Sequence, residues 1–134
     1  MKHIPTALLA FFAVSWLIIS SPARAASDLF TMERFEALQA QNALILVDVH
    51  ASWCPTCARQ TEIIKEYIAQ RPDVGLHWLK VDFDEQKRWV KHFRAPRQST
   101  LLLFRGKDQL WFSVAETRAE KVFETIDAAA GATP

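Results

Sequence analysis

The sequence predicts an α/β domain, a central mixed β-sheet with helices on both faces, on three observations. Helical and strand-like segments follow in the order helix, strand, helix, strand, helix, strand, strand, helix. The run Ala43 to Val49 (ALILVDV) is short, almost wholly apolar and rich in β-formers, the pattern of a strand covered on both sides. Two later strand-like runs flank Gly106-Lys107-Asp108, which predicts a β-hairpin in the same sheet.

Each element has its own local reason. Between Asp28 and Gln41, Leu29, Met32, Phe35 and Leu38 recur at helical spacing, with Thr31 as a candidate N-cap. Pro55 to Gln70 places Ile63, Ile64, Tyr67 and Ile68 on one helical face, and Arg71-Pro72-Asp73 ends it. Val74 to Phe83 reads as a strand, and Asp84 as the cap of a helix reaching about Phe93. A loop at Ala95 to Gln98 precedes the hairpin strands Thr100–Arg105 and Gln109–Val114. Thr117-x-x-Glu120 has the form of a capping box for a last helix through about Ala130.

Residues 1–25 read as a targeting segment rather than as fold. Lys2 and His3 precede an apolar run from Ile4 to Ile19, Ser20-Ser21-Pro22 breaks it, and Ala23-Arg24-Ala25 has the small-x-small form of a cleavage site. A permanent membrane helix needs roughly 20 apolar residues, so a cleaved secretory signal is expected, with an uncleaved anchor as the alternative. Without Lys2 and Arg24 the formal charge falls from +1 to −1. That balance gives no electrostatic case for nucleic acid or anionic lipid. Residues 26–134 suffice for one domain with one core. The expected destination is a bacterial periplasm, with an endoplasmic-reticulum lumen as the alternative.

Cys54 and Cys57 are the only cysteines, and they stand two residues apart directly after Trp53. A disulfide closed over so few residues makes a poor structural staple, so the spacing points to a pair that cycles. At the start of the predicted helix, Cys54 meets unpaired N–H groups and the positive end of the helix dipole, which favour its thiolate. Pro55 fits the first turn. Cys57 lies one turn deeper and is placed to resolve a mixed disulfide. Thr56 can reach the Cys54 thiolate by hydroxyl or backbone N–H, which would raise the reduction potential. An inert buried pair is the bland reading.

Asp48, within an apolar strand, would pay for burial with a raised pKa. With Val47-Asp48 ahead of Trp53-Cys54-Pro55-Thr56-Cys57, then Lys80-Val81-Asp82-Phe83-Asp84 and Thr100-Leu101-Leu102-Leu103-Phe104 in register, the chain resembles the thioredoxin family over residues 28–130. The resemblance implies a thioredoxin-like fold. It also implies that Asp48 is the buried acid exchanging a proton with Cys57, and that Lys80 is the lysine beside that acid. Asp48 satisfying strand-end backbone groups is the alternative. Trp53, Pro55, Thr56, Gln98 and Ser99 are the expected substrate-contacting residues. Trp78, Trp89 and Trp111 are read as packing residues.

Three departures from the family stand out, one of them Pro55-Thr56 between the cysteines, where thioredoxins have Gly-Pro. Thioredoxins have a cis-proline immediately before the strand that Thr100 opens, and Ser99 occupies that place here. A cis bond before a non-proline residue costs about 2.5–4 kcal/mol, so a trans Gln98–Ser99 peptide and a differently shaped loop are expected. Arg97 and Gln98 are either polar contacts or solvated loop residues. His50 replaces an aromatic residue. It is read as a polar replacement, with thiolate tuning or metal binding beside the sulfurs as alternatives, although a zinc site normally takes four ligands. His77 and His92 are read as structural or surface histidines.

The expected function is an exported thiol–disulfide oxidoreductase that reduces protein disulfides through Cys54 and Cys57. Its only redox group is the Cys54–Cys57 disulfide, with no further cofactor and no metal. A membrane thiol-electron donor would recharge it, and a monomer is expected. The alternatives are a module holding a soft ion such as Cu(I) with Cys54, Cys57 and His50, and a docking domain whose dithiol is vestigial.

Overall fold

The computed structural model describes residues 28–131. The expected targeting segment, residues 1–25, lies outside them. The elements are β1 (Asp28–Leu29), α1 (Met32–Ala40), β2 (Leu44–His50), α2 (Pro55–Gln70), β3 (His77–Asp82), α3 (Lys87–His92), β4 (Thr100–Arg105), β5 (Asp108–Val114) and α4 (Ala119–Gly131). The sheet order is β1-β3-β2-β4-β5, with β1/β3 and β3/β2 parallel and β2/β4 and β4/β5 antiparallel. It is the mixed sheet expected, and β2 lies at its centre.

The alternation of side chains along β2 divides the core. Ile45, Val47 and Val49 point to the face covered by α1 and α3, where Phe35, Leu38, Val90 and Phe93 meet them. Leu44 and Leu46 point to the face covered by α2 and α4, against Ile63, Ile64, Tyr67, Val122 and Ile126. Tyr67 Oη also donates to Asp127 Oδ1 at 2.8 Å, and Arg71 pairs with the same carboxylate, so α2 and α4 are tied at their polar rim.

Three local expectations are corrected. Leu29 is not helical: Asp28 and Leu29 pair with β3, the Phe30 N–H donates to Lys80 O at 2.8 Å, and the helix opens at Met32 behind a Thr31 cap that receives Arg34 N–H. Asp84 does not cap α3. Asp82 Oδ1 receives the N–H groups of Asp84 and Glu85 in a tight turn, and Gln86 precedes the helix. The last helix begins at Ala119, and Glu116, rather than a Thr117–Glu120 box, receives the Arg118 N–H. The hairpin turn is Gly106-Lys107, and it requires glycine: φ is +55° at Gly106, and a Cβ there would lie 2.6 Å from Asn42 Oδ1.

Candidate active site

Cys54 is the N-cap of α2, in extended conformation, and Pro55 occupies the first helical turn. Proline has no N–H to donate there and a φ suited to the helix, so the sequence Cys-Pro starts α2 without strain. The Cys54 Sγ accepts the Cys57 N–H at 3.1 Å, as a capping oxygen would. Cys54 is 4% exposed and Cys57 0%, so an approaching disulfide can reach only the first sulfur. Both cysteines are free thiols and pack with Ala51 and Phe83.

The two thiols are held in opposite directions. Burial works against the Cys54 thiolate, but hydrogen bonds from Cys57, from Ser99 and from the backbone N–H groups of Cys57 and Thr56 together outweigh it and hold the thiol below its ordinary value. Burial, reinforced by the neighbouring Cys54, pushes Cys57 up. Thr56 therefore contributes through its backbone N–H. Pro55 is exposed and Thr56 half-buried at the mouth of the site.

Asp48 is fully buried on the sheet face under α2. Burial pushes its carboxyl up to about 6, against the lowering influence of Lys80 and of a hydrogen bond from Trp78. Trp78 Nε1 donates to Asp48 Oδ2 at 3.2 Å, and Lys80 Nζ lies 4.8 Å from the centre of the Trp78 ring. Lys80 and Asp48 are register partners in β3 and β2. Trp78, read from sequence as packing alone, is therefore a donor to the buried acid. His50 Nδ1 lies 3.9 Å from Asp48 Oδ2, and burial pushes its imidazole down, toward the neutral form. Among the described residues no three His, Cys, Asp or Glu side chains are grouped to hold a metal ion, so a site of His50 with the two sulfurs is without support.

Trp53 is 60% exposed, and its Nε1 donates to Asp84 Oδ2 at 2.7 Å. That bond fixes a large apolar ring at the rim of the dithiol, and it is the role Asp84 holds in place of a helix cap. Gln98 is half-buried beside the site and Arg97 is exposed.

No cis peptide bond occurs among the described residues, so Gln98–Ser99 is trans as expected. Ser99 itself departs from the expected role of a substrate contact. It is fully buried, at φ +63°, with Oγ 3.1 Å from both Cys54 Sγ and Cys57 Sγ. Its N–H donates to Val49 O at 2.8 Å, and its carbonyl accepts from Ala115 N at 2.8 Å and Gln60 Nε2 at 3.2 Å. Gln60 was not singled out by the sequence. It is buried on α2 and also donates to Glu116 O at 3.0 Å, so it clamps the Ser99 loop to the segment before α4. A glutamine facing the core one turn beyond Cys57 was the available signal.

The family model "Thioredoxin" matches residues 27–128. Thioredoxin of Chlamydia trachomatis is 34% identical over 85 residues, covering 63% of this chain and 81% of its own. Thioredoxin H2-1 of Oryza sativa is 28% identical over 103 residues, covering 75% of this chain and 73% of its own. Among solved structures, Trxlp from Edwardsiella tarda is 35% identical, covers 75% of this chain and 98% of its own, and superposes with a TM-score of 0.71. Thioredoxin of Trypanosoma brucei brucei, 18% identical, covers 83% of this chain and 97% of its own, with a TM-score of 0.69, a likeness of fold alone.

Proposed function

The chain belongs to the thioredoxin family, a family of thiol–disulfide oxidoreductases acting on protein disulfides through a cysteine pair, and from that premise we propose that it is an exported reductase working by a mixed disulfide. The observation that carries the reading is the Cys54 Sγ capping α2 at 3.1 Å from the Cys57 N–H, with Cys57 buried beneath it.

The Cys54 thiolate attacks one sulfur of a client disulfide. A Cys54–client S–S bond forms, and the client's other sulfur leaves as a thiolate that takes a proton. Cys57 then gives up its proton, and its sulfur attacks Cys54 Sγ. The client leaves with its second thiol, and the protein holds the Cys54–Cys57 disulfide, two electrons poorer. Asp48, titrating near pH 6 in the same interior, receives the Cys57 proton. Before that transfer, Lys80 favours the Asp48 carboxylate that is to accept the proton. Trp53, Pro55 and Gln98 form the rim against which the client rests.

In an oxidising compartment the pair needs a continuing source of electrons, supplied by a membrane dithiol donor. Export is supported by the basic start, apolar run and Ala23-Arg24-Ala25 at residues 1–25, and the periplasm is the destination that suits them. A monomer suffices for this chemistry, because one chain carries both sulfurs and the acid.

Reduction of insulin disulfides by the dithiothreitol-reduced protein tests the reading. Turnover is expected from the parent, and Cys57→Ser is expected to trap a covalent client complex that thiol reagents release. A couple near thioredoxin's roughly −270 mV supports reduction, and one near −120 mV would reverse the direction of flux. N-terminal sequencing of the exported chain checks the cut after Ala25.

A further inference from the structure

Ser99 makes side-chain hydrogen bonds only to the two reacting sulfurs. Its backbone is anchored independently, by Val49 O, Ala115 N and Gln60 Nε2, so the hydroxyl is aimed by groups that take no part in thiol chemistry. A serine hydroxyl carries one proton and two acceptor lone pairs. With Sγ atoms at 3.1 Å on both sides, the proton can be given to one sulfur only, and the second contact must run from a thiol to Oγ. The Cys57 N–H already points at Cys54 Sγ, which favours that sulfur as the acceptor. With Cys54 as the thiolate, that assignment gives a chain of bonds from Cys57 Sγ–H to Ser99 Oγ, and from Ser99 Oγ–H to Cys54 Sγ.

We propose that the Ser99 hydroxyl is a catalytic proton bridge between the two sulfurs, holding the negative charge of the reduced pair on Cys54 and favouring the dithiol over the disulfide. The inference rests on the reading of Cys54 and Cys57 as a redox couple. In the disulfide neither sulfur carries a proton or a full charge, so both bonds to Oγ weaken, and the bridge stabilises the reduced state selectively. The bridge also allows the charge to move without solvent. In a concerted shift the Cys57 S–H and Ser99 O–H bonds break while an O–H and a Cys54 S–H form. One proton is transferred overall, the thiolate passes to Cys57, and no electrons move.

Apart from the two sulfurs themselves, no side chain among the described residues other than Ser99 acts on both. Those acting on Cys54 are Cys57, Ser99 and the Thr56 N–H, and those on Cys57 are Cys54, Ser99 and the backbone of Ala51. Asp48 and His50 on β2 and Lys80 and Asp82 on β3 are titratable groups on the same sheet face, and they act on one another. Glu116 and Arg118, before α4, pair with each other.

The test compares the full chain with Ser99→Ala and Ser99→Gly. Glycine takes φ +63° without steric penalty, so it removes the hydroxyl while relieving the backbone. Three quantities are read: the pH profile of Cys54 alkylation, the equilibrium with glutathione, and insulin turnover. In both variants the Cys54 midpoint should rise, and the equilibrium should move about tenfold toward the disulfide, about 30 mV more negative. Two folded variants that titrate and equilibrate within twofold of the parent would overturn the bridge. A parent without insulin turnover, whose alkylation profile still moves on losing the hydroxyl, would drop the reductase reading and keep the bridge.

Discussion

The two faces of one sheet have been built to opposite rules. On the α1/α3 side, Phe30, Phe35, Phe93 and Phe104 stack edge-on or tilted at ring separations of 5.2 to 6.2 Å, and no charged side chain is buried among them. On the α2/α4 side the same strands bury a carboxylic acid, a glutamine and a serine beside the two sulfurs. Since β2 contributes to both faces, a single strand supplies Val47 and Val49 to one and Asp48 to the other. Apolar packing on the first face offsets the desolvation of polar groups on the second.

The comparison breaks most visibly at the sulfur. Cys54→Ser should reduce insulin turnover to the uncatalysed background while leaving the unfolding midpoint close to that of the reduced parent. A loss of fold with the activity would mean that the α2 face also carries stability. Next in size, Phe93→Ala on the opposite face should cost about 3–5 kcal/mol in denaturant unfolding, with the alkylation profile of Cys54 unchanged.

Asp48→Asn sharpens the contrast through its sign. The folded carboxyl titrates near 6, above the unfolded value of 3.8, so the folded state binds the extra proton between those limits. The stabilisation from proton binding is complete below about pH 4 and is lost as pH rises through 6. A two-unit shift corresponds to about 3 kcal/mol. The asparagine variant should therefore be more stable than the parent by up to about 3 kcal/mol at pH 8, by almost nothing at pH 4, and slower to resolve mixed disulfides. Unfolding curves at both pH values check it. The smallest effect is expected from Trp78→Phe. Removing the indole donor should move the Asp48 midpoint above about 6, followed by NMR of the carboxyl, with a stability change of about 1 kcal/mol.

The sequence made visible whatever was determined locally. The bounds Pro55–Gln70 of α2 were readable because a proline-compatible first turn and a Pro72 stop mark both ends. The Thr31 cap and the Gly106 turn were readable for similar reasons. Leu29 fits a helical face equally well, and only pairing with Lys80 of β3, far along the chain, makes it a strand. Asp84 has the composition of a cap, and its carboxylate is drawn off by Trp53, 31 residues earlier. In the site, Cys54, Cys57 and Asp48 were legible from spacing and from a charge in an apolar run. Ser99 was legible as a departure but not as a partner of both sulfurs, and Gln60 and Trp78 were not legible, because these roles arise where the β4 approach, α2 and β3 converge.

Ser99 has a consequence for clients as well as for sulfur. Its amide and its carbonyl are already engaged inside the fold, by Val49 and by Ala115 with Gln60. A peptide laid across the dithiol therefore finds no main-chain ladder to extend at that point. In the proposed reductase, choice among clients would pass to the rim, to the indole of Trp53 and the amide of Gln98, and to how readily a given disulfide yields its sulfur. In that reductase, reactivity and side-chain fit would then weigh more at Ser99 than backbone alignment.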